Sequence, residues 1–151
     1  MALDLDSRPI LVFWETTKAC SLACRHCRAE AIAQPAPGEL NHAEALRLLD
    51  SLAAFGDPRP VLVATGGDVL ERRRLDVLIE HAVAQRIPLA LAPSVTPRLT
   101  DARVEELRRL GVRIVSISLD GLLEHAVAQR IPLALAPSVT PRLTDARVEE
   151  L

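Results

Sequence analysis

Tyrosine is absent from this sequence, phenylalanine occurs twice and tryptophan once. With so few rings on which bases could stack, a platform for single-stranded nucleic acid is not expected. The net charge of −2 argues neither for nor against a nucleic-acid surface, so no nucleic-acid partner is expected. Lysine occurs once, as Lys18, among many arginines and alanines, a bias of composition rather than a functional signal. No apolar run approaches the roughly 20 residues that span a bilayer. The opening residues, Met1 to Asp6, lack the basic start and apolar stretch of a secretory signal. No membrane association is expected, and the cytoplasm is the default location. Cysteine is limited to three residues. An odd number is a poor disulfide framework and suits a reducing compartment where thiols bind metal or do redox work.

At 151 residues the chain has the length of one domain, enough for a real core. Its C-terminal part is a repetition: Glu80 to Leu107 recurs without a change as Glu124 to Leu151, and residues 122–151 are a near-perfect copy of 78–107. Natural solenoids recur at least three times, with drift and atypical ends. A single undrifted copy reads instead as a recent duplication or an artefact, adding no independent information. Residues 1–121 are therefore taken as a partial core.

Within that core, short apolar runs alternate with helical patterns. Ile10–Trp14, Val61–Thr65, Leu89–Ala92 and Val112–Leu119 read as strands. Asn41 is placed to cap a helix through Phe55, with Leu46, Leu49, Leu52 and Ala53 on one face and Gly56 ending it. A second helix from Glu71 to Arg86 puts Leu75, Leu78, Ile79, Ala82 and Val83 on one stripe. Thr100 caps a third that carries Val104 and Leu107 inward and stops at Gly111. Nearly all-apolar strands, each followed by a helix, predict an α/β fold with a parallel sheet buried on both faces. Right-handed crossovers then build an open sheet or part of a barrel. Either way the ligand site falls at the C-terminal strand ends. The cysteine loop, Gly66-Gly67-Asp68, Pro93-Ser94 and Ser118–Asp120 all lie there.

The three cysteines are Cys20, Cys24 and Cys27, a CxxxCxxC spacing directly after the first strand. Three thiolates can hold three corners of a cubane iron–sulfur cluster, and no fourth cysteine exists to close it. One iron is left open to a ligand, the mark of a metal that does chemistry. A structural zinc site completed by His42, or less plausibly His26, is the alternative. Zinc sites usually add a distant second pair of ligands.

The stretch Trp14-Glu15-Thr16-Thr17-Lys18-Ala19-Cys20 through Cys27-Arg28-Ala29-Glu30 resembles the opening of a radical S-adenosylmethionine (radical SAM) enzyme. More narrowly it is similar to the branch with C-terminal cysteine-rich (SPASM-type) extensions, which includes peptide maturases and haem-biosynthesis enzymes. The resemblance runs from about Ile10 to Gly121 and implies a partial (β/α) barrel, here incomplete. It implies a 4Fe–4S cluster on Cys20, Cys24 and Cys27, with the open iron chelated by S-adenosylmethionine. An electron from the cluster cleaves the sulfonium, giving methionine and a 5′-deoxyadenosyl radical that abstracts hydrogen from a substrate. The substrate is a small molecule or peptide, and the electron comes from an external donor such as a flavodoxin or ferredoxin.

Site residues follow by position from the same resemblance. Gly66, Gly67 and Asp68 match the family's Gly-Gly-Glu element, whose backbone and carboxylate engage the methionine ammonium. Ser118 and Asp120 match the fourth-strand element facing the ribose or carboxylate, and Ser94 is a weaker candidate of that kind. His26 stands where an aromatic usually lies near the adenine, although a solvated loop histidine is an equal reading. Arg72, Arg73 and Arg74 read as a solvated face, and His81 with its copy His125 as surface residues. The fifth-strand Gly-x-Ile-x-Gly element and the auxiliary-cluster cysteines are absent. The rival readings are a non-catalytic iron–sulfur or zinc module and an inactive fragment.

Overall fold

The computed structural model describes residues 6–22, 24, 27, 30 and 32–117. His26, Ser118, Asp120, His125 and the repeated segment 122–151 lie outside the described residues. Among the described residues four strands alternate with three α-helices: β1 (Leu11–Glu15), α1 (His42–Ala53), β2 (Val61–Thr65), α2 (Leu75–Ala84), β3 (Leu89–Leu91), α3 (Asp101–Arg109) and β4 (Ile114–Val115).

All strands are parallel and follow sequence order, β1-β2-β3-β4. That order decides between the two architectures left open by the pattern. A doubly wound sheet reverses direction at a switch point; this one steps the same way at every crossover, as in a (β/α) barrel. Same-handed crossovers also put the helices on one face. On that face Leu62, Ala64, Leu89 and Leu91 are buried, and with Trp14 they line one small space shared with Leu49 of α1 and Leu75, Leu78, Ile79 and Ala82 of α2.

On the other face the expected burial holds at Ala90 of β3 but not along β1. Phe13 is 67% exposed there, beside exposed Leu11 and, on β4, Ile114. This is the face that forms the inner wall when such a sheet curls into a barrel.

Local signals explain most helix ends. Asn41 and Glu44 form a reciprocal capping box: the Glu44 amide donates to Asn41 Oδ1 at 3.0 Å and the Asn41 amide to Glu44 Oε2 at 2.8 Å. The Arg103 amide donates to the Thr100 hydroxyl at 3.1 Å, capping α3. The second helix differs from expectation. Asp68 caps a single 3₁₀ turn, Val69–Glu71, and α2 begins only at Leu75, after Arg74 adopts a left-handed φ of 56°. Val83 falls off the buried stripe and is 40% exposed. His81 is half-buried rather than free at the surface, with Nε2 2.7 Å from Asp50 Oδ1 of α1. No helix among the described residues is long and apolar enough to cross a membrane.

Candidate functional site

The first strand runs into Thr16 and Thr17, both buried. The Thr16 amide and hydroxyl each donate to the Thr65 carbonyl at 2.9 Å, extending the β1–β2 pairing past the strand ends. A bridge between Ala19 and Ile32 then closes the base of the cysteine loop. The Cys20 amide donates to Ile32 O at 2.9 Å and the Ile32 amide to Lys18 O at 3.1 Å. All three cysteines therefore sit on or just above a pinched neck. Cys20 is half-buried, while Cys24 and Cys27 are exposed, and the Cys27 amide turns back to Cys24 O at 3.0 Å.

The neck is braced from the far side by Glu39. Its Oε1 accepts from the Ala36 amide (2.7 Å), the Lys18 amide (2.8 Å) and the Thr17 hydroxyl (3.1 Å), so one oxygen ties the loop's two ends. Burial alone would raise this carboxyl. The donors from Lys18, Ala36 and Thr17, with the charge of Arg72, outweigh that and hold it below the usual carboxylate range. A lowered acid stabilises the fold above that range and loses its contribution as pH falls through the folded value. Acid titration followed by the fluorescence of Trp14, the only tryptophan, is therefore expected to show a transition below the usual glutamate range. Glu39→Gln, with no proton to gain, should remove it. Glu39→Ala should raise hydrogen exchange at the Lys18 and Ala36 amides about tenfold, the loss of one net hydrogen bond of ~1.4 kcal/mol.

Arg72 corrects the reading of a solvated arginine run. Its guanidinium donates to Thr16 O at 3.0 Å and Leu40 O at 2.6 Å and lies 5.6 Å above the Trp14 ring. Arg73 and Arg74 are exposed as expected. Three consecutive arginines carry no sequence signal that would single out the first.

The Gly66-Gly67-Asp68 turn is stitched directly to the neck. The Gly67 amide donates to Thr17 O at 2.7 Å and the Asp68 amide to Ala19 O at 2.8 Å. A Cβ on Gly66 would stand 2.3 Å from Thr17 O, and one on Gly67 2.5 Å from Lys18 O and 2.6 Å from Ala19 O. Both glycines are needed because backbone here packs on the backbone of the cysteine loop itself.

Asp68 was expected to offer its carboxylate to a ligand. It is fully buried. Oδ1 accepts from the Leu70 amide (3.0 Å) and the Ser94 amide (3.3 Å), and Oδ2 from the Thr96 hydroxyl (2.8 Å). The side chain thus braces the turn from behind and draws the loop after β3 against it. Ser94 in turn donates to Gly67 O at 2.7 Å, with its Oγ 4.0 Å from Cys20 Sγ. The structure brings together Cys20, Gly66, Gly67, Asp68 and Ser94 on one rim. Thr17, Glu39, Arg72 and Thr96 were missed; only Thr96, a polar residue in the loop after β3, carried the positional signal that marked Ser94.

Among the described residues no three His, Cys, Asp or Glu side chains converge on a metal position. His42, the proposed fourth zinc ligand, sits at the first residue of α1 with a buried Nδ1 that has no hydrogen-bond partner. The donor chemistry nevertheless fits an iron–sulfur cluster: three soft thiols on a loop closed at its base, whose neck packs on the Gly66-Gly67 backbone. Gathering the sulfurs would then accompany metal binding.

This parallel sheet with a cysteine triplet at its carboxyl rim is matched by a sequence model of the Radical SAM superfamily over residues 14–134, and the chain belongs to that superfamily. Over 109 residues it is 41% identical to an AdoMet-dependent heme synthase of Oleidesulfovibrio alaskensis, covering 72% of this chain and 27% of that protein. It is 37% identical over 109 residues to an AdoMet-dependent heme synthase of Nitratidesulfovibrio vulgaris, covering 72% and 29%. A Pre-heme d1 synthase of Dinoroseobacter shibae is 32% identical over 109 residues, covering 72% and 26%. The chain spans less than a third of the length of these curated relatives.

Proposed function

We propose that this chain is the cofactor-binding portion of a radical SAM enzyme acting on a tetrapyrrole. The observation that carries the reading is the cysteine neck seated by backbone hydrogen bonds on the Gly66-Gly67 turn. Cys20, Cys24 and Cys27 would hold a 4Fe–4S cluster, and the rim at Gly66 and Gly67 would hold the methionine end of S-adenosylmethionine. When bound, the two together supply one-electron reductive cleavage of the sulfonium and, from it, hydrogen abstraction at carbon. Asp68 supports that rim from behind. His26, Ser118 and Asp120 remain proposed contacts to the adenine and the ribose or carboxylate. The tetrapyrrole class rests on the names of the relatives, and the electron on an external flavodoxin or ferredoxin in the cytoplasm.

Metal content tests the binding half of this reading. After anaerobic reconstitution the protein is expected to hold iron and acid-labile sulfide in equal amounts near four per chain. Cys24→Ala should lose most of both while keeping the melting temperature of the metal-free chain. Zinc retained through purification, with no sulfide uptake, would overturn it in favour of a structural metal module.

A further inference from the structure

We infer that Arg72 is a positioning residue that sets the width of the cysteine loop's mouth, gripping both ends of the loop with one guanidinium. The inference rests on the reading of Cys20, Cys24 and Cys27 as cluster ligands. The incoming limb of the loop leaves β1 at Thr16, and the outgoing limb reaches α1 at Leu40, next to the Asn41 cap. Nearest the thiols the limbs are joined backbone to backbone, through Lys18, Cys20 and Ile32. Further down, Glu39 of the outgoing limb holds the Thr17 hydroxyl and the Lys18 amide. At the mouth, Thr16 O and Leu40 O are both acceptors and cannot bond each other, so a donor between them is needed to hold the pair. Arg72 is that donor, with one Nη donating to Thr16 O at 3.0 Å and the other to Leu40 O at 2.6 Å.

A guanidinium is planar and presents its Nη groups at a fixed spacing, whereas a lysine ammonium is a point charge on a flexible stem. The guanidinium lies 5.6 Å from the centre of the Trp14 ring, and the Arg72 amide donates to Val69 O at 3.1 Å. Its Nε is buried with no hydrogen-bond partner. An unpaired buried donor is costly, and here it accompanies a pose in which both Nη groups meet a carbonyl. Groups outside the ligand set orient the residues that hold a metal. With the mouth held at one width, the loop brings its three sulfurs to the cluster in one arrangement.

Arg72→Lys tests this in the full chain, reconstituted anaerobically with iron and sulfide. Thr100→Ala is the control, since it removes the α3 cap and lowers stability away from the loop. Lysine keeps the charge but not the two-pronged grip. Cluster loss to an iron chelator is timed for each protein at the same interval below its own Tm. Arg72→Lys is expected to lose its cluster about tenfold faster than wild type, the effect of one charge-assisted hydrogen bond. Its reduced cluster should give more than one set of g-values in electron paramagnetic resonance. Thr100→Ala should keep a single set and a rate within about twofold of wild type, as for an independent site.

A wild-type rate in Arg72→Lys, or a single wild-type set of g-values, overturns the inference. So does an equal acceleration in Thr100→Ala, which would make the effect one of stability alone. If Arg72→Lys does not fold, nuclear magnetic resonance of the wild-type arginine side chains decides. Separate resonances for the two Nη groups of Arg72 support the grip, and one averaged resonance overturns it. A wild-type chain that takes up no cluster overturns the underlying reading, and the inference falls with it.

Discussion

Replacing Gly66 by alanine is expected to separate the cysteine loop from the sheet and abolish cluster retention. The new methyl carbon would stand 2.3 Å from the Thr17 carbonyl oxygen, at a φ of 153° that residues with side chains rarely adopt. Neither partner can yield cheaply. Thr17 O is held by the Gly67 amide at 2.7 Å, and the Thr17 side chain is buried. Backbone strain and overpacking together cost roughly 3 kcal/mol, a fall in Tm of about 10 °C for a domain of this size. Thermal unfolding and iron content check the two halves of the expectation. An alanine variant with native Tm and full iron would show that the close packing of turn and neck is not what seats the loop.

Asp68→Ala should be comparably severe, and Asp68→Asn mild. Alanine leaves the Leu70 amide, the Ser94 amide and the Thr96 hydroxyl without their acceptor in a fully buried place. At about 1–3 kcal/mol for each unsatisfied buried group, the loss is roughly 3 kcal/mol or more. Asparagine keeps a carbonyl oxygen for the two amides, and its NH₂ can donate to the Thr96 hydroxyl, which also accepts. Denaturant unfolding of the two variants should therefore differ by about 2 kcal/mol. Equal and severe losses would mean that the negative charge, not the acceptor pattern, is required. Equal and small losses would remove Asp68 as the brace of the rim.

The fold was legible wherever a local signal coincided with a tertiary need. Asn41 before α1, Thr100 before α3, and the apolar run Val61–Thr65 each specify their element within a few residues, and the structure places them there. The second helix was misread at its start because Asp68 satisfies the Leu70 amide and closes a 3₁₀ turn. A hydrophobic stripe does not register that local competition. The open face of the sheet was also missed. Phe13 and Leu11 look like any core residues in a strand, and only the strand order reveals that their face lines the inside of a barrel.

At the site, the cysteine spacing and the glycine pair were visible as chemistry and as turn signals. The bracing of that site was not. Glu39, Arg72 and Thr96 each reach at least one partner more than twenty residues away, and only Thr96, by its place in the loop after β3, carries a positional mark. Asp68 was recognised as a site residue by position, but its direction was not readable. The geometry points the carboxylate at the loop after β3, where the Ser94 amide and the Thr96 hydroxyl donate to it.

Electron paramagnetic resonance of the anaerobically reconstituted and reduced protein, with and without S-adenosylmethionine, tests the central claim most directly. Three thiolates leave one iron open, and a ligand that chelates it must change the cluster's electronic environment. The account predicts a 4Fe–4S signal whose g-values shift on adding S-adenosylmethionine and which is lost in Cys20→Ala. A cluster signal indifferent to S-adenosylmethionine, or the absence of any cluster, would contradict it.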